Sequence, residues 1–184
     1  MCMIDHLDEL CDAGIDCLKI EGRAKSAYYA AIVTGAYRHV LDDVWAGRAP
    51  DPVWRDEVDH VSHRHYSTGF YYPEHKVQQS TDRSAYFRAW LVVGEVLSWS
   101  PEDGGRVTIM SRNKIEAGQE VEFVLPGAAP FAYTVPAGGF RDADGHWVEA
   151  INNPAHVFSM PCPQEVPVNA AIRSRTKKPT LKAE

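Results

Sequence analysis

Leu18-Lys19-Ile20-Glu21-Gly22-Arg23-Ala24-Lys25-Ser26 decides how this chain is read. Apolar Leu18 and Ile20 give way to a charged turn, and Ser26 then opens a long run with an apolar stripe. The pattern predicts a short buried strand that ends in a polar turn and feeds a helix. α/β proteins build sites at such turns, because the turn lies at the carboxyl end of a strand beside a helix N-terminus. One such unit does not make a site alone. The chain is therefore expected to carry the tail of a larger α/β protein, followed by a separate small β-domain.

Upstream of that stretch, Ile4, Leu7, Leu10 and Cys11 recur at three- and four-residue spacing, which predicts a helix over 1–14 that stops at Ala13-Gly14. Ile15, Cys17, Leu18 and Ile20 predict a strand over 15–20. Downstream, Ser26 is a good N-cap, since its hydroxyl can accept from a free N–H of the first turn. The helix runs through Tyr29, Ile32, Val33, Ala36, Tyr37, Val40, Leu41 and Val44, and Gly47 closes it. Pro50 and Pro52 break the chain, and Asp51 or Pro52 opens a short helix over 53–61.

Residues 62–72 are dense in aromatic and polar side chains, too polar for a core strand. His63 and His65 would share a face if extended, the spacing of an H-x-H metal pair, but no carboxylate or thiol lies at a convincing distance in sequence. An ordered loop with rings packed on its neighbours, or a loop facing substrate or RNA, also fits. Polar, aperiodic residues 76–84 read as a domain linker.

Beyond it the period becomes that of strands. Residues 86–99 are apolar on both faces around Gly94, which marks a bend or bulge. Further strands are expected at 106–110, 120–125, 131–135, 147–150, 156–160 and 169–173, separated by Gly, Pro and Asp turns. Six or seven strands with no intervening helix predict a closed or nearly closed β-barrel, and residues 112–121 look like the loop-then-strand of elongation-factor-type barrels. The fold class expected is α+β: a helical remnant of a TIM-barrel-like domain (1–75), the linker (76–84), a small antiparallel barrel (85–173) and a basic tail (174–184).

The 184 residues are 45% hydrophobic and 24% charged, the balance of a globular protein. A formal net charge of -6 argues against a generic nucleic-acid binder, so any basic surface is local. Arg173, Arg175, Lys177, Lys178 and Lys182 form one such concentration, either a solvated tail or a set of phosphate contacts. No apolar run approaches the ~20 residues that cross a bilayer, and no signal peptide opens the chain, so a cytoplasmic location without membrane partners is expected. Cys2, Cys11, Cys17 and Cys162 show no C-x-x-C spacing and read as reduced thiols, mostly buried.

Two stretches together carry a family resemblance. Cys2-Met3-Ile4-Asp5-His6-Leu7, Gly14-Ile15-Asp16 and residues 18–29 resemble the last part of the catalytic domain of the U32 peptidase family. Val61-Ser62-His63-Arg64 with Thr68-Gly69-Phe70-Tyr71 resembles a second block of that family, with His65 where the family usually has Pro. The β-domain is similar to the family's C-terminal domain. The resemblance implies hydroxylation of the wobble uridine of tRNA by an iron–sulfur protein, with the barrel assisting RNA binding. It implies a cluster held by four cysteines, of which Cys2 matches one and Cys11, Cys17 and Cys162 match none. The chain itself is therefore expected to hold no cofactor and to be inactive alone, whereas the intact protein holds an iron–sulfur cluster. Glu21 and Arg23 are the expected catalytic residues at the end of the last strand, unless they only salt-bridge the turn. Lys25, His63, Arg64, Tyr66, Arg173 and Arg175 are the expected RNA- or substrate-binding residues, with tRNA the expected partner. The alternatives are a collagenase-like peptidase portion whose barrel binds peptide, and a non-catalytic binding module, although no Ser-His-Asp, Cys-His or H-E-x-x-H arrangement is visible. The apolar helix stripes, if left uncovered, predict docking on the β-domain or self-association.

Overall fold

Ser26 starts the longest helix as its chemistry dictates. Its backbone is extended, and its Oγ accepts from the Tyr29 amide at 3.2 Å. Helix α2 then spans Ala27–Trp45 and is terminated by Gly47, whose φ of 67° favours a residue without Cβ. These features belong to a computed structural model, which describes residues 1–72 and 88–176. The expected linker and the tail from residue 177 lie outside the described residues. Two compact units divide between Ala89 and Trp90.

In the first unit, α1 (Leu7–Asp12) follows a 3-10 turn at Ile4–His6. Asp51 caps α3 (Pro52–Glu57), its Oδ1 accepting from the Val53 amide at 3.0 Å, and a 3-10 turn at Val58–His60 continues it. Ala36 and Val40 of α2 bury against Ile4, Leu7 and Val58, with Leu18, Tyr37, Val44, Trp54 and Tyr66 at the margin. Each fully buried aliphatic side chain of this kind contributes ~1.5–3 kcal/mol. The stripe of α2 is thus covered within its own unit, which removes it as the surface for self-association.

The strand expected at residues 15–20 does not form. The segment is extended but unladdered, Ile15 is 49% exposed, and among the described residues of this unit no β-strand lies beside it. A strand of this composition needs neighbours on both edges to satisfy its amides, and apolar residues alone do not supply them. Leu18 instead packs on the helical core. The first unit is therefore helical among its described residues, without a βα repeat.

The second unit is an antiparallel sheet of eight strands, ordered β5-β4-β10-β1-β2-β9-β6-β7. Its strands are β1 (Trp90–Ser100), β2 (Arg106–Ser111), β4 (Glu120–Val124), β5 (Phe131–Thr134), β6 (Phe140–Asp142), β7 (Trp147–Val148), β9 (Val157–Pro161) and β10 (Ala171–Arg175). A two-stranded ribbon pairs β3 (Ile115–Glu116) with β8 (Ala150–Ile151). Val96, Ile109, Phe123, Phe140, Phe158 and Ile172 fill one core inside the curl. The register of β1 against β10 shifts between Val92 and Gly94, the bulge expected from the glycine. A Cβ on Gly94 would lie 2.6 Å from Ile109 Cγ2.

No ladder joins β5 to β7, so closure of elongation-factor type is not met by hydrogen-bonded strands. The curl is stitched by side chains instead. The Tyr133 hydroxyl on β5 donates to the Pro161 carbonyl on β9 at 2.6 Å. Among the described residues, no helix is long and apolar enough to cross a membrane.

Candidate functional site

In the first unit, the early turns of α2 gather several of the residues singled out above. The Cys2 amide donates to the Ser67 carbonyl at 2.9 Å, and its Sγ lies 3.6 Å from the Tyr37 hydroxyl. That hydroxyl also accepts from the Met3 amide at 2.9 Å. Lys25 Nζ donates to the Ser62 carbonyl at 3.2 Å and lies 5.3 Å from the Tyr29 ring centre. His63 stacks on Tyr66 at 4.3 Å, and Tyr66 donates to the Val58 carbonyl at 2.6 Å. Burial pushes the Tyr37 and Tyr66 hydroxyls well above the usual phenol range, so both stay protonated donors. Cys2, Lys25, His63 and Tyr66 are therefore brought together.

Glu21 and Arg23 sit at the exposed rim of this group. Glu21 Oε1 accepts from the Arg23 amide at 2.9 Å, which shapes the turn, and among the described residues their side chains form no ion pair with each other. Arg64 is exposed. His63 and His65 form no metal site: the one cluster with ligand spacing among the described residues is Asp142, Asp144 and His146, in the β6–β7 hairpin. Around Cys2 no second or third ligand converges among the described residues, so the donor set present does not fit a four-thiolate cluster. Cys17 is exposed and only Cys162 is fully buried, against the expectation of mostly buried thiols. Apolar neighbours in sequence do not bury Cys17 because the strand that would have covered it is absent.

Arg173 and Arg175 lie in the second unit. Arg173 is 1% exposed, so it is no surface cation. Its Nε and Nη2 donate to Glu122 Oε2, and its guanidinium lies over the Trp90 ring at 4.7 Å. Its place at the end of a core strand, read from sequence as the start of the tail, is what buries it. Exposed Arg175 covers the same ring at 5.0 Å. A cavity of about 220 Å³ beside Trp90 and Arg175 is also lined by Glu120 and Glu122, so charge there is balanced.

A second cationic surface was not evident from the sequence. Ser98, Thr108, Ser159, Arg141 and Trp147 are successive cross-strand partners on β1, β2, β9, β6 and β7. Directly paired residues share a sheet face, so these five form one row. Val107, Phe158, Met160 and Phe140 fill the opposite, inner face. The Arg141 guanidinium lies 4.6 Å from the ring centre of Trp147, which is 61% exposed. Arg106 reaches the row by donating to Ser159 Oγ at 3.1 Å and to the Gly139 carbonyl at 2.9 Å. Its guanidinium is held below the usual arginine range, first by burial and then by the neighbouring charge of Arg141. Strand β6 is short and was not expected, yet Asp144-Gly145 between two brief strands is a hairpin signal that would have located it.

Comparison with known proteins places these features. Residues 1–81 match the model of peptidase family U32, and residues 88–173 match the model of the family's C-terminal domain. The chain belongs to peptidase family U32. Among U32 relatives, a tRNA hydroxylation protein of Bacillus subtilis is 32% identical over 84% of this chain and 37% of its own length. A tRNA hydroxylation protein of Haemophilus influenzae is 29% identical over 94% of this chain and 37% of its own. The chain thus spans little more than a third of the U32 relatives it matches. The crystal structure of a U32 peptidase C-terminal domain from Geobacillus thermoleovorans is 26% identical, covers 46% of this chain and 92% of its own, and superposes with a TM-score of 0.42.

Proposed function

We propose that this chain is part of a U32 protein that hydroxylates tRNA, with the wobble uridine as its target. The observation that carries this reading is the 32% identity to the Bacillus subtilis tRNA hydroxylation protein along 84% of the chain. In this reading the β-domain holds tRNA, while Glu21, Arg23, Lys25 and Arg64 border the substrate on the first unit. The guanidinium fork of Arg23 suits a carboxylate or a phosphate. Cys2 offers one thiolate toward an iron–sulfur cluster whose other ligands this chain does not contain, and the chain alone does not catalyse hydroxylation. Binding of unmodified tRNA by the full chain, measured at low and moderate salt beside a gelatin peptide, tests the reading. Affinity for tRNA that falls with salt, and none for the peptide, is expected. Salt-insensitive or absent tRNA binding overturns it.

A further inference from the structure

We propose that the solvent face of strands β2, β9, β6 and β7 binds single-stranded RNA, with the exposed Trp147 ring stacking a base and Arg106 and Arg141 clamping an adjacent phosphate. The inference deepens the tRNA reading above, on which it rests, by naming the contact surface and the state of the RNA it takes.

The argument begins with charge. Arg106 and Arg141 are close enough to disfavour each other's charge. The compensation supplied by the protein is slight: Asp103 Oδ2 stands 3.7 Å from Arg141 Nη1, and Asp103 is itself exposed. Arg141 Nε is buried without a hydrogen-bond partner among the described residues. Two like charges beside each other, with one weak counter-ion, favour an anion placed against both. The Trp90 cluster lacks this imbalance, because Glu122 already holds Arg173.

Shape then selects the anion. Trp147 presents an exposed ring on the same row, and Arg141 already covers one part of it. Aromatic rings beside guanidinium groups are how sheets take up unstacked bases, each base–ring contact being sequence-tolerant. Ser98, Thr108 and Ser159 add hydroxyls along the row, able to donate to phosphate or to meet a ribose 2′-hydroxyl. A duplex offers no splayed base for Trp147, so the surface selects an unpaired segment.

The test compares the full chain with Trp147→Ala, Trp147→Phe and the double variant Arg106→Gln/Arg141→Gln, using unmodified tRNA and a short oligouridylate as probes. Because Trp147 is exposed, its variants keep the fold, which circular dichroism verifies; Arg38→Gln on α2 serves as the control for one lost charge. Trp147→Ala is expected to weaken oligouridylate binding roughly 5- to 100-fold, with Trp147→Phe close to the parent. The double arginine variant is expected to reduce the log–log salt slope by about 1.4, or ~0.7 for each lost phosphate contact. If tRNA binds but these variants bind it as the parent does, the surface is overturned and the tRNA reading stands. If oligouridylate binds through Trp147 while tRNA does not bind, the surface stands and the tRNA reading is overturned. Failure of the parent chain to bind either probe overturns both.

Discussion

Arg173 on β10 and Glu122 on β4 face each other across the ladder, and two guanidinium nitrogens of the arginine close on one carboxylate oxygen at 2.8 and 2.6 Å. The arginine is nearly sealed, while the Glu122 side chain retains 28% exposure. Removing the carboxylate leaves a buried charge without its partner, whereas removing both partners does not. Glu122→Ala is expected to destabilise the β-domain by about 2–4 kcal/mol, somewhat under the ~3–5 kcal/mol of a fully buried pair. The double change Glu122→Leu/Arg173→Met should recover most of that loss. Urea unfolding of the single and double variants measures both, and equal losses would show that the pair is not coupled.

Three glycines grade the packing of the same domain. A Cβ on Gly105 would lie 2.5 Å from the Cys162 carbonyl oxygen, which is backbone and has little room to yield, and the residue has a φ of 98°. On Gly94 the obstacle is a side-chain methyl of Ile109. On Gly118 the space is open and only the left-handed backbone, with φ of 76°, opposes substitution. Alanine is therefore expected to cost ~1 kcal/mol at Gly118, about 1–3 kcal/mol at Gly94, and more at Gly105. Thermal unfolding of the three variants tests the order, and a Gly105→Ala protein as stable as Gly118→Ala would contradict it.

The thiols should separate by reactivity. Burial pushes the Cys162 thiol up, outweighing its hydrogen bond to the Gln164 carbonyl at 3.2 Å. Cys17 is exposed. Alkylation followed by peptide mass spectrometry should modify Cys17 first and Cys162 last. The sign of the pH effect follows from the same shift. The folded protein keeps the Cys162 proton to higher pH than the unfolded chain, so this contribution to stability is complete below the ordinary thiol range and is lost as pH rises through the raised value. Cys162→Ala should flatten that alkaline decline in an unfolding series.

Much of this architecture was legible in residue order. Ser26 and Asp51 announced their helices because a cap is a local bond between a side chain and an amide two or three residues on. The bulge at Gly94 was likewise local in origin. What escaped the sequence was pairing. Residues 15–20 have a strand's composition without a neighbour to ladder with, and β6 has a neighbour on each side despite spanning only Phe140–Asp142. The candidate sites divide in the same way. Cys2, Lys25, His63 and Tyr66 were named from sequence and do converge, because helix α2 and the loop after α3 bring them together. Arg106, Arg141 and Trp147 were not, since their association depends on registers across four strands. Arg173 was misread as a surface cation because the end of β10 could not be told from the start of a tail.

The bond from Tyr133 to Pro161 gives the curled sheet a zipper with few teeth. Amides in a ladder release one after another, and each holds the next; a hydroxyl lets go in one event. The rim near β5 can therefore breathe while the staves around β1 and β2 stay closed, and the stacked rings of Phe123 and Phe131 are the first part of the interior that such opening would wet.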